Sequence, residues 1–178
     1  SRGQSQTTVG CFLSHIKAIK TSYENKEEMC IIMEDDIFLH QAKMWKFKFK
    51  DIVRKFPKDL EILNLASSCE NIDKKEINFF DSRKKRGASC MCYLIKRQGM
   101  KRILDIVFTD GYVKHGLYTK YISDLTLYQE LNSYFLIPKL FLLNSLKLDS
   151  SITESFDDFK NEIKYSLLNN EIINKYYN

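Results

Sequence analysis

Apolar and polar residues follow one another along this chain in patterns that predict helices and strands in turn. Residues 12–27 carry apolar side chains at helical spacing, and the short apolar run at residues 30–33 is typical of a buried strand. Residues 67–87 are polar and predict irregular structure. The other predicted elements are helices at 43–56, 98–108 and 118–131, strands at 60–65, 88–95, 134–137 and 140–143, and one or two helices at 156–177. Strands that alternate with helices predict an α/β fold, with a layered sheet flanked by helices.

Three consecutive acids, Glu34, Asp35 and Asp36, follow the first predicted strand. Unpaired carboxylates are costly to bury, so we expect them where the strand leaves the core. In open α/β sheets that place is the carboxyl edge, where ligands bind. Glu34 and Asp36 share one face of this extended segment, because side chains of a strand alternate with a period of two. They would then point oxygens at one hard divalent cation, or at a cation and the sugar of a nucleotide.

Composition and length indicate one folded domain. The chain has 178 residues, 44% of them hydrophobic and 13% aromatic, which is enough for a core and argues against disorder. It has no run of eighteen apolar residues and no visible secretory signal. Its five cysteines are odd in number and lie mostly in apolar stretches, which favours reduced, packed thiols over disulfides, metal binding or redox chemistry. We therefore expect a cytoplasmic protein.

The net charge is +5, and residues 83–86 form a dense basic run. We favour a solvated loop for this run, and the alternative is a clamp for a diphosphate or a phospholipid headgroup. A nucleic-acid partner is not expected, because no platform of stacking aromatics accompanies the run.

Two segments together resemble glycosyltransferase family 25, which includes lipooligosaccharide and collagen galactosyltransferases. Residues 9–15 read VGCFLSH, and residues 31–36 read IIMEDD. Weaker matches follow in the same order as far as Ile152, at residues 87–95, Gly99, 103–104, 122–125, 137–140 and 149–152. The acid that the family usually has before the glycine is missing here, since residues 7–9 read TTV.

The resemblance implies a GT-A-like, Rossmann-like fold. Residues 1–153 would form the catalytic domain and residues 154–178 a helical extension. Family members have a further strand-helix-strand segment before the Gly-Cys block, so we expect either a fragment of a longer protein or an incomplete nucleotide site. The implied reaction is inverting transfer of a hexose, galactose or a related sugar, from a UDP-sugar to a hydroxyl of a glycan, glycolipid or glycoprotein. A lipid-linked acceptor would bring the protein to a membrane surface, and an oligomer is compatible with this reading.

Site roles also follow from the resemblance. Asp36 would be the main ligand of Mn²⁺ or Mg²⁺, with Glu34 near the metal or the ribose. Asp35 would be an auxiliary or would bond to backbone. Ser14 and His15 would open the first helix, where they could cap it or donate to the diphosphate.

Asp124 is the candidate general base that deprotonates the acceptor. Its alternative is a helix N-cap, which contributes about 1 kcal/mol. We read Asp149 as a turn residue and His40 and His115 as surface residues.

Two other functions stay open at this point. The domain could be a catalytically inactive binding or assembly module, or, less favoured, a metal-dependent phosphoesterase. No second cluster of Asp or His residues at the spacing of a two-metal site appears in the sequence.

Overall fold

A computed structural model describes residues 6–35, 37–39, 42–43, 45–66, 78–81, 90–114, 123–137 and 140–143. The helices within this part of the chain are α1 (Gln6–Glu24), α2 (Phe49–Val53), α3 (Arg97–Val107) and α4 (Ser123–Glu130). The strands are β1 (Met29–Met33), β2 (Ile37–Phe38), β3 (Ile62–Asn64), β4 (Asn78–Asp81), β5 (Cys92–Lys96), β6 (Phe108–Thr109), β7 (Tyr112–Val113), β8 (Ser133–Ile137) and β9 (Leu142–Leu143).

Five strands form the main sheet in the order β1-β5-β3-β8-β4. Strands β3 and β8 are parallel, whereas β5 is antiparallel to both β1 and β3, and β4 is antiparallel to β8. Strands β1, β3 and β8 therefore run in one direction and end at one edge, which we call the carboxyl edge. The α/β class with flanking helices is confirmed, and the sheet is mixed.

Two apolar layers cover the two faces of this sheet. On one face, α1, α3 and α4 pack over Ile62, Tyr93 and Ile95. On the other face, Leu63, Leu94 and neighbouring residues pack against the segment around α2 and against residues 140–141. Side chains of consecutive strand residues alternate between these layers, as the period of two requires.

Helix α1 is built on an apolar stripe, as predicted, but its bounds differ. Phe12, Ile16 and Ile19 are almost completely buried, at the spacing that places them on one helical face. The helix begins at Gln6 rather than at residue 12 and ends at Glu24, and Lys26 then takes a positive φ of 62° as the chain turns toward β1. The apolar stripe locates the buried face, but the polar first turns carry no such signal.

Among the strands that the structure describes, β1 lies at the edge of the sheet, and one of its faces is exposed, so the prediction that it is buried was wrong. Only the face that carries Cys30 and Ile32 packs on the helical layer. The other face leaves Met29, Ile31 and Met33 between 37% and 40% exposed. A continuous apolar run does not distinguish a central strand from an edge strand.

Several other boundaries also differ from the predictions. The helix expected at 43–56 is reduced to α2, and β4 lies in the stretch expected to be irregular. Strands β6 and β7 form an unpredicted hairpin whose turn contains Asp110 and Gly111, both at positive φ. Asp-Gly is a strong hairpin signal, so this turn could have been found from the sequence. The predicted helices at 156–177 lie outside the described residues.

Gly99, in the first turn of α3, is required by close packing. A Cβ there would lie 2.9 Å from the backbone oxygen of Glu61 and 3.2 Å from the Ile95 side chain. The helix can therefore sit directly on the end of the sheet only with glycine at this position.

The described cysteines Cys11, Cys30, Cys90 and Cys92 are thiols outside any disulfide, as expected. Burial raises the pKa of Cys92 to about 12. None of the helices within the described residues is long and apolar enough to cross a membrane.

Candidate functional site

Glu34 is the first residue after β1 and lies at the carboxyl edge, where the sequence predicted the acids to be. Its backbone N–H donates to the carbonyl of Met91 at 2.8 Å, which extends the β1–β5 pairing by one residue. By the alternation of the strand, its side chain lies on the same face as Cys30 and Ile32, toward α1. The carboxylate side chain is 32% exposed.

The chain turns directly after Glu34. The N–H of Ile37 donates to the Glu34 carbonyl at 3.4 Å, so residues 34–37 form a turn. The prediction that Glu34 and Asp36 share one face depends on Asp36 and stays a prediction. Asp36 lies outside the described residues, and Asp35 is exposed.

His15 holds the Glu34 carboxylate from α1. Its ring is buried, with Nε2 at 3.2 Å from Glu34 Oε1 and Nδ1 at 3.2 Å from the Tyr93 hydroxyl. A carboxylate only accepts, so Nε2–H donates to Glu34, and Nδ1 accepts from the Tyr93 O–H. This assignment satisfies both ring nitrogens with a neutral imidazole.

Tyr93 anchors this network in the middle of the sheet. It lies opposite Ile32 of β1 and Asn64 of β3, and it is fully buried. Burial, followed by nearby thiols and the Glu34 carboxylate, raises the pKa of Tyr93 well above its usual value. The hydroxyl therefore stays protonated and available to donate to His15.

Cys11 completes the cluster from the preceding turn of α1. Residues four apart share a helical face, so Cys11 and His15 both reach Glu34. The Cys11 thiol is exposed, and its Sγ lies 3.8 Å from Glu34 Oε1. The sequence interpretation assigned no metal or redox use to the thiols. The signal that could have found this residue is its spacing of four from His15.

Ser14 and His15 are not at the start of the helix, so their predicted placement was wrong, and their role in binding the diphosphate stays a prediction. Both residues lie in the third turn of α1. The Ser14 hydroxyl is exposed and donates to the Gly10 carbonyl at 2.9 Å, within its own helix. Of the two, only His15 reaches the site.

Asp124 is the second residue of α4 and does not precede that helix as predicted. Its side chain lies outside the described part, so its role as a base stays a prediction. Helix α4 packs against α1, with Leu127 and Tyr128 in the layer that also holds Phe12. The predictions for Asp149, His40, His115 and residues 83–86 fall outside the described residues.

A surface pocket of about 450 Å³ lies at the opposite edge of the sheet, between the start of β1 and the start of α3. Its cations already have protein partners. The Arg97 guanidinium lies 4.3 Å from the Tyr23 ring centroid and donates to the Tyr23 carbonyl at 3.0 Å. Lys101 donates to Asp105 at 2.6 Å. We therefore place the candidate site at the carboxyl edge, around Glu34.

Comparison with known proteins identifies the family of this chain. The family model described as glycosyltransferase family 25 (LPS biosynthesis protein) matches residues 1–113, which include Cys11, His15, Glu34 and Tyr93. No curated protein matches the chain.

Proposed function

This chain belongs to glycosyltransferase family 25, and we propose that it transfers a hexose, galactose or a related sugar, from a UDP-sugar to an acceptor hydroxyl with inversion. The acceptor would belong to a glycan, glycolipid or glycoprotein. The observation that carries the proposal is the Glu34 carboxylate, which a buried histidine holds at the carboxyl edge of the sheet.

The position and the fixed orientation of Glu34 support a binding role. Ligands of open α/β sheets bind outside the carboxyl ends of the strands. One Glu34 oxygen accepts from His15, and about a third of the side chain faces solvent. Such a carboxylate is positioned to accept hydrogen bonds from the ribose or the sugar of a donor. Because Tyr93 fixes His15 in turn, the carboxylate is oriented before the ligand arrives, which lowers the ordering cost of binding.

The chemical step needs a base for the acceptor. The acceptor oxygen forms a bond to the anomeric carbon, the bond from that carbon to the diphosphate oxygen breaks, and its electron pair leaves with UDP. The acceptor proton passes to a carboxylate. Asp124 is our candidate for this base, because it lies in the first turn of α4, the helix that packs beside α1.

A hard cation does not fit the described part of the site. Mn²⁺ and Mg²⁺ prefer oxygen ligands. The described groups facing Glu34 are instead an imidazole nitrogen and a thiol. A Mn²⁺ or Mg²⁺ requirement therefore depends on Asp36.

The proposal also includes a GT-A-like fold and a cytoplasmic location. A GT-A-like arrangement would place the described sheet at the core of the donor site, and the shared edge of β1, β3 and β8 supports it. A cytoplasmic location is supported by the four described cysteines, which are thiols.

The test measures UDP release from a panel of UDP-hexoses with and without Mn²⁺. The wild-type chain should turn over one donor, and Asp36→Ala should abolish that turnover if a cation acts there. Asp105→Ala is a matched control, since Asp105 is an exposed acid paired with Lys101 on α3. Donor binding without release of UDP, for every sugar in the panel, would contradict the enzyme and support an inactive binding module.

A further inference from the structure

We infer that Cys11, His15 and Glu34 form a binding site for a borderline-soft divalent cation of the zinc class. The ligand atoms of these three residues all lie within 4.8 Å of one another. Thiolate sulfur, imidazole nitrogen and carboxylate oxygen are the ligand types that zinc takes in proteins, and a mixed sulfur-nitrogen-oxygen set selects zinc over Mg²⁺ or Mn²⁺.

The distances suit tetrahedral coordination. Zinc bond lengths of about 2.0 Å to nitrogen and oxygen and about 2.3 Å to sulfur place neighbouring tetrahedral ligand atoms roughly 3.3–3.6 Å apart. His15 Nε2 and Glu34 Oε1 are 3.2 Å apart, and Cys11 Sγ and Glu34 Oε1 are 3.8 Å apart. These two separations lie within a few tenths of an ångström of the tetrahedral values, and all three ligand atoms lie within 4.8 Å of one another.

The surroundings also suit a metal-binding histidine. A ligating imidazole donates its second ring N–H to a nearby acceptor, which fixes the ring. When Nε2 binds the ion, the ring proton moves to Nδ1, and Nδ1–H donates to the Tyr93 oxygen 3.2 Å away. The Cys11 thiol gives up its proton to solvent when its sulfur binds the metal. Because Cys11 is exposed and Glu34 is half-buried, the fourth position opens to water or to a ligand.

Cobalt(II) titration of the purified chain tests the site without any nucleotide sugar. Co²⁺ should bind with one ion per chain and produce a near-ultraviolet sulfur-to-cobalt charge-transfer band, together with the intense visible bands of tetrahedral cobalt. Zn²⁺ should then displace it. Cys11→Ser should remove the charge-transfer band and weaken Zn²⁺ binding by about tenfold or more, as loss of a ligand requires.

Two controls keep the result specific. Cys11 is exposed, so its serine variant should fold, and circular dichroism checks this. Cys30→Ser removes a half-buried thiol near the other end of β1 and should leave the cobalt spectrum unchanged. A cobalt spectrum without a sulfur band, a band unaffected by Cys11→Ser, or no stoichiometric binding would overturn the inference. Since no donor sugar is used, these outcomes are independent of whether the chain is a transferase.

Discussion

At each end of the strands of the main sheet, a glutamate side chain contacts the helical layer. The two carboxylates differ in their hydrogen-bond partners and in their exposure to solvent. At the opposite edge, where β1, β3 and β8 begin and which we call the closed edge, Glu61 accepts from Arg102 at 2.9 Å and from the backbone N–H of Asn132 at 2.7 Å. Its side chain is only 10% exposed. At the carboxyl edge, Glu34 faces the His15 imidazole and the weakly donating Cys11 thiol, and its side chain is 32% exposed. Glu61 joins α3 to the residue that precedes β8, whereas Glu34 keeps capacity for a ligand. The comparison shows that a carboxylate serves structure when protein donors fill its acceptor positions, and is available for binding when some of those positions face solvent.

The largest expected effect is on the activity of Glu34→Gln. The amide oxygen can still accept from His15, so the free energy of unfolding should change by only about 0.5 kcal/mol. The loss of the negative charge should lower turnover of the UDP-sugar about 100-fold, as for other preorganised electrostatic groups. Steady-state UDP release and urea unfolding of the same preparation measure the two quantities. Full activity in this variant would remove Glu34 from the site.

Glu61→Gln should give the opposite result. Hydrogen bonds to a charged group contribute more than bonds to a neutral group, so the free energy of unfolding should fall by about 2 kcal/mol. Turnover per folded molecule should remain at the wild-type level, because Glu61 lies at the far edge. Urea unfolding checks the first point. A loss of activity larger than the loss of folded protein would show that the closed edge takes part in the reaction.

Alkaline pH should lower the free energy of unfolding through the Cys92 thiol, which is buried in the sheet between the two edges. The Cys92 thiol ionises near its ordinary pKa of 9.0 in the unfolded chain, but burial raises that pKa to about 12 in the fold. The folded state then binds more protons above pH 9, so the free energy of unfolding should fall as pH rises, by up to about 1.4 kcal/mol per pH unit from this group. Urea unfolding between pH 8 and about 10.5 measures the slope, and Cys92→Val should make it shallower. An equal slope in that variant would show that the thiol does not contribute.

Tyr93→Phe should have a smaller effect on stability. It leaves Nδ1 of His15 without its hydroxyl donor inside the helical layer, at a cost of about 1 kcal/mol. Because His15 then loses its fixed ring orientation, the Michaelis constant for the donor should rise more than the turnover number falls. A variant with wild-type kinetics would show that Tyr93 serves packing alone.

Gly10→Ala should have the smallest effect of these changes, and it should raise the free energy of unfolding. A Cβ at Gly10 meets no atom within 4 Å, so alanine should stabilise α1 by about 0.5–1 kcal/mol. Gly99→Ala is the matched control at the closed edge, where the Cβ would lie 2.9 Å from the Glu61 oxygen and should destabilise the fold. Thermal unfolding of both variants shows whether the two edges differ in this way.

The sequence predicted those parts of the fold and site that depend on local pattern. The apolar stripe of α1 and the run of β1 followed by acids were enough to place Glu34 at the carboxyl edge. His15, which contacts Glu34, is also held by Tyr93, 78 residues further along the chain. Only tertiary packing brings His15 and Tyr93 together, so local sequence patterns did not predict this contact. The edge position of β1 depends on which strands pair, which periodicity does not reveal. The turn that follows Glu34 also depends on more than the alternation of a strand, and the predicted face of Asp36 lies outside the described residues.

The most direct test of the central claim is to locate donor binding by NMR. Amide and imidazole chemical shifts of the chain are followed during titration with UDP-galactose and Mg²⁺. The account predicts that the largest shifts fall at the carboxyl edge, at Cys11, the His15 ring, Glu34 and Met91. Shifts concentrated instead around Glu28, Arg97 and Lys101, or none at saturating donor, would contradict it.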